Sequence, residues 1–181
     1  MTYPSFSAGD VLTAADMNGV GLWLVKTQTV GTAVATVAVT GAFSSTYDNY
    51  LVTLSGGTGS ADQAIGLQLT GSTTAYHGFL NYGASTSATA LGANVNNGTS
   101  FTFVGGCNAN QMAHVSCQLF GPNLASYTKC YNAAYQNGTA YGHFAGEHRV
   151  ATAYTGFTLI PTAGTLTGGT IRVYGYKNGL S

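Results

Sequence analysis

From Leu24 onward the apolar residues of this chain recur at every second position. Ile65, Leu67 and Leu69 alternate with Ala64, Gly66 and Gln68, and Val115, Cys117 and Leu119 alternate with Ser116 and Gln118. Phe101 and Phe103 alternate with threonine, and Ile171 and Val173 alternate with Thr170, Arg172 and Tyr174. A period of two belongs to a strand with one face on a core. Runs of this kind fall near 25–30, 34–40, 49–55, 64–70, 76–82, 100–105, 111–120, 126–134, 139–145, 148–161 (long enough to be broken) and 168–177. Turn signals separate them: Gly56-Gly57, Asn96-Asn97-Gly98, Gly105-Gly106, Gly121-Pro122-Asn123, Asn137-Gly138 and Gly168-Gly169. The stretch Ser85–Gly98, rich in Ser, Thr, Ala and Asn, reads as a long loop.

Many short strands without crossover helices predict an all-β fold, an antiparallel jelly-roll-like β-sandwich over residues 24–181. No fixed-period repeat suggests a propeller or solenoid. The first 23 residues follow another pattern and predict an N-terminal arm with one short helix. Thr13-Ala14-Ala15-Asp16 fits a capping box, with Leu12 and Met17 spaced as a hydrophobic staple. Gly19 and Gly21 end the helix after about two turns. So short a helix needs packing to persist, and Phe6, Val11, Leu12, Met17 and Trp23 are the expected attachment anchors.

Composition changes what the surface can do. Five acidic and five basic residues give zero net charge in 181, against 26 glycines and 12 tyrosines. Ordinary domains carry about a quarter charged residues. Nucleic-acid binding, which rests on Lys and Arg, is not expected. The longest apolar run, Val34–Val39, is too short to span a bilayer, so membrane insertion is not expected either. Cys107, Cys117 and Cys130 lack zinc-ligand spacing. Cys117 and Cys130 flank a hairpin turn, which leaves a disulfide open, but reduced, buried thiols are the favoured reading.

Candidate chemistry is sparse. Asp48, Asp62 and Glu147 are the acids available within the sandwich for a glycosidase pair. Glu147-His148-Arg149 is the sole charge cluster, and strand alternation turns His148 away from its neighbours. That leaves a Glu/Arg pair on a solvated or shared face. His77, His114, His143 and His148 have no metal-ligand spacing, and no cofactor or metal is expected. The dispersed tyrosines suit sheet faces packed on neighbouring subunits. They also leave a lectin-like reading open, with Tyr82 and Tyr141 as glycan contacts at the end formed by Ser85–Gly98 and Asn137–Tyr141.

The segment Phe6-Ser7-Ala8-Gly9-Asp10-Val11-Leu12-Thr13-Ala14-Ala15-Asp16-Met17-Asn18 resembles the start of many tailed-bacteriophage tail-fibre, minor tail and head-fibre proteins. The stretches 43–50, with Tyr47-Asp48-Asn49-Tyr50, and 169–177, with Ile171-Arg172-Val173-Tyr174, look like the first and last core strands of small jelly-roll proteins in phage structural modules. The resemblance implies a non-catalytic virion structural protein, a capsid-decoration or fibre-like minor tail protein. It also implies a homotrimer docked on other virion proteins through the arm. The alternative is a receptor-binding module recognising host cell-surface glycan.

Overall fold

The computed structural model describes residues 8–9, 11 and 21–178. Its strands are β1 (Leu22–Thr29), β2 (Val37–Val39), β3 (Asn49–Ser55), β4 (Thr58–Gly59), β5 (Gln63–Leu69), β6 (Tyr76–Ala84) and β7 (Ala90–Gly98). They continue with β8 (Phe101–Cys107), β9 (His114–Phe120), β10 (Thr128–Asn137), β11 (Ala140–His148), β12 (Phe157–Pro161), β13 (Leu166–Thr167) and β14 (Thr170–Tyr176). Every pairing is antiparallel, and no helix occurs among the described residues. The chain is an all-β sandwich.

Hydrogen-bonded neighbours define two layers joined at the β8–β9 link. The wide layer runs β1-β14-β3-β9-β10-β11-β6-β7, and the narrow one runs β2-β12-β5-β8. A short β4–β13 ribbon lies apart from both. Alternation explains the packing. Tyr50, Val52 and Leu54 of β3 and Ile171 and Val173 of β14 point inward and are buried. Each such side chain contributes about 1.5–3 kcal/mol of transfer free energy.

Aromatic rings bridge the layers. Phe43 lies 4.8 Å from Tyr50 of β3 and 5.6 Å from Phe157 of β12. From β8, Phe101 packs edge-on against Tyr76 of β6 at 4.9 Å, and Phe103 meets Tyr135 of β10 at 5.7 Å. At one corner two glycine turns lie back to back. Gly57 (φ 74°) approaches Gly168 so closely that a Cβ would run into the Gly168 carbonyl.

Several expectations are corrected. Ser85–Gly98 is not one long loop, because Ala90–Gly98 forms β7, paired with β6 from Gly83↔Ala90 to Tyr76↔Gly98. As an edge strand it buries only Val95, so backbone pairing, and not an apolar stripe, makes it a strand. Of the run over 148–161, His148 ends β11 and only Phe157–Pro161 forms a strand of its own, β12. Residues before it cross between elements, bonding Tyr154 N to Pro122 O and Ala42 N to Thr155 O. Trp23, expected in the arm, belongs to β1 and sits opposite Gly175. The expected helix, with Phe6, Leu12 and Met17, lies outside the described residues.

Candidate functional site

The outward face of the wide layer carries the feature that composition foretells. One cross-strand row reads Leu24–Tyr174–Leu51–Gln118–Tyr131–Ala145–Phe79–Asn94, each residue directly opposite the next. It crosses eight strands without a charge, and Leu24, Phe79 and Tyr131 are largely exposed. Glutamine 118 donates to the Tyr176 hydroxyl at 3.1 Å on this face.

On one side of the row the charges gather. Phe120, Lys129, Glu147 and His77 oppose one another in turn, and Arg149 Nε donates to Glu147 Oε1 at 2.6 Å. The Arg149 bond holds the Glu147 carboxyl below its ordinary range. His148 points the other way and is fully buried. Its Nε2 lies 3.1 Å from the Thr74 carbonyl, which can only accept, so the neutral ring carries its proton there. Tyr76 packs on this ring at 4.4 Å with the two planes tilted by 51°, and burial pushes its phenol up to about 12.

On the other side of the row lies a β-bulge. Asn132 opposes Phe144 and Tyr135 opposes Gly142, so Ala133 and Ala134 together face His143. Bulges re-aim side chains and often border functional sites. Buried Asn132 fixes this one, accepting from Ala134 N at 2.8 Å and donating to Phe103 O at 3.1 Å. His114 Nε2 donates to the Ala134 carbonyl at 3.0 Å. Beside the bulge are two hollows of about 320 and 490 Å³ that share Tyr141, Gly142 and His143 as a ridge.

Comparisons with protein-family models, curated proteins and solved structures find no match to the chain.

The two expected glycan contacts separate. Tyr141 is 48% exposed on the outward face, whereas Tyr82 is partly buried against the core on the inward one, although both border the smaller hollow. A Cβ at Gly142 would run into the neighbouring β6 at the Asn81 carbonyl and Tyr82, so glycine lets the two strands lie close along the ridge. Asn81, Thr89, His114, Gln136 and His143 complete the hollows and were not singled out from the sequence as contacts. The available signal was the three-residue spacing of inward Asn132 and Tyr135, a break in the period of two. Val11 is 83% exposed and Trp23 half-buried.

The acids do not pair around Glu147. Asn49, next to Asp48, opposes Phe120, then Lys129, then Glu147, three interstrand spacings or roughly 14 Å. Asp62 packs against Gly138 at the β10–β11 turn, about seven residues or roughly 24 Å along the strand from Glu147. A glycosidase pair needs about 5–9.5 Å. Among the described residues no three His, Cys, Asp or Glu side chains cluster for a metal. All three cysteines are free and buried. Cys130 opposes Leu119 while Cys117 opposes Asn132, so the two thiols are diagonal neighbours on the inward face. Burial, with the Cys117 thiol beside it, pushes the Cys130 thiol well up.

Proposed function

We propose that this chain is a non-catalytic structural component of a tailed-bacteriophage virion, of the capsid-decoration or fibre-like minor tail type. It assembles as a homotrimer and attaches to other virion proteins through its N-terminal arm. The carrying observation is the uncharged row from Leu24 to Asn94 across eight strands. Seven interstrand spacings make it roughly 34 Å long, a span that an interface of about 800 Å² per partner would cover together with the rows beside it. Edge strand β7 adds nine uncharged, proline-free residues whose outer edge pairs with no strand among the described residues, the kind of edge that native proteins cover or blunt.

Strand order supports the same reading. The orders β1-β14-β3-β9 and β2-β12-β5-β8 fit an eight-stranded jelly roll, the architecture of many viral capsid domains. Hairpins β6–β7 and β10–β11 then widen one of its sheets. The resemblance of residues 6–18 to phage attachment segments supplies the virion.

Sedimentation velocity at low and high salt tests the assembly. A trimer is expected at both, and Tyr131→Glu with Phe79→Glu should release monomers that remain folded. A wild-type chain that is monomeric throughout would remove the reading. Deleting residues 1–20 should leave the sandwich folded and unable to attach to particles.

A further inference from the structure

We infer that the two hollows flanking the Tyr141–His143 ridge bind a neutral oligosaccharide, with sugar units on either side of the ridge. The inference stands on the hollows and not on virion assembly.

Size admits a ligand. At about 320 and 490 Å³ both hollows fall within the roughly 300–1,000 Å³ of small-molecule sites. Charge narrows its class. Among the described residues no Asp, Glu, Lys or Arg lines either hollow, whereas a third hollow on the same face includes Lys129, Glu147 and Arg149. A charged ligand would lose hydration here without gaining a counter-charge.

The lining groups suit hydroxyls. Asn81 and Gln136 offer amides that donate and accept, and Thr89 offers a hydroxyl. His114 is held as the Nε2–H tautomer by the Ala134 carbonyl, which leaves Nδ1 as an acceptor. His143, exposed on the ridge, supplies both a donor and an acceptor in its neutral form. Tyr141 adds a half-exposed ring, and an aromatic face packs against the C–H face of a pyranose. Donors, acceptors and one apolar plate without charge match a neutral polyol better than an anion, a cation or an apolar molecule.

The groups are also held in place. The bulge fixes Ala134 through Asn132, and the β6 backbone at Asn81 and Tyr82 leaves no room for a side chain at Gly142. Asn132 is a positioning residue.

The test uses the full chain, isothermal titration and saturation-transfer NMR. Probes are neutral oligosaccharides (maltohexaose, cellohexaose, mannohexaose and a galactan oligomer) beside anionic sialyllactose and tri-galacturonate. At least one neutral probe should bind with Kd below about 10 mM, the anionic ones more weakly. Tyr141→Ala and His143→Ala should each weaken it roughly tenfold, about 1.4 kcal/mol. Tyr141→Phe should retain most of the affinity, and Lys129→Ala, on the same face outside both hollows, all of it. Circular dichroism checks that each variant folds. No neutral binding at that limit, equal binding of the anions, or binding indifferent to both Tyr141→Ala and His143→Ala would overturn the inference.

Discussion

Ser72 Oγ lies 2.7 Å from His148 Nε2, tying the turn after β5 to the last residue of β11. The Tyr154 hydroxyl approaches the other ring nitrogen at 3.5 Å, so three separate segments meet on one imidazole. Ser72, Thr74, Tyr76 and Tyr154 surround it, and none is charged at neutral pH.

This arrangement makes stability depend on pH. Desolvation lowers the His148 pKa below its ordinary value of 6.5, despite the Thr74 bond. Below pH 6.5 the unfolded chain therefore takes up this proton before the folded one does, and stability falls with pH. Urea midpoints should be lower at pH 5 than at pH 8, and His148→Gln should reduce that difference. An unchanged pH slope in the variant would refute the assignment.

The thiols should be silent in the native protein. Cys107, Cys117 and Cys130 are buried, and burial raises the Cys107 and Cys130 pKa values. Ellman's reagent at neutral pH should label none of them quickly and all three in denaturant. Fast labelling of one thiol in the folded state would contradict the placement.

Asn132→Ala should destabilise by about 1–3 kcal/mol, because it frees the Ala134 amide and the Phe103 carbonyl. Chemical denaturation gives the magnitude. Amide exchange at Ala133 and Ala134 should rise more than in the rest of β10. Uniform loosening would mean that Asn132 fills the core without fixing the bulge.

Gly57→Ala and Gly41→Ala form a matched pair. Both positions have positive φ, but Gly57 abuts the Gly168 backbone while open space surrounds Gly41. Gly41→Ala should cost about 1–2 kcal/mol, and Gly57→Ala about 1–3 kcal/mol more from the clash. Equal losses on thermal unfolding would show that the two turns do not approach so closely.

Period-two alternation made β3 and β5 legible almost to the residue and placed β9 and β14 with starts a few residues early, because alternate side chains of each enter the core. It failed for β7, whose two faces are both mostly exposed with only Val95 buried, so no apolar alternation marks it. Alternation also says which face a residue takes, never which strand lies beside it. The pairing of β11 with β6 joins residues more than 55 positions apart, for example His148 with Tyr76, and no local signal records it. The candidate hollows depend on that pairing. Tyr141 was visible as a surface tyrosine, but Asn81 and Thr89 become its neighbours only once β6 and β7 are laid beside β11.

Among the described residues strand β1 has a single partner, β14, with Leu22 opposite Tyr176 and Lys177 N bonded to Gly21 O. Strand β1 is therefore made well before β14, the strand that covers it. Until Tyr176 has emerged, Leu22, Leu24 and the vacant place of β14 stand uncovered, and the nascent chain carries an unsatisfied strand. Stalling translation before residue 170 leaves a product with every central strand present and its border missing, a species prone to aggregate. Joining the two ends by a short linker and opening the chain at the exposed turn between β6 and β7 would let β1 and β14 be made together.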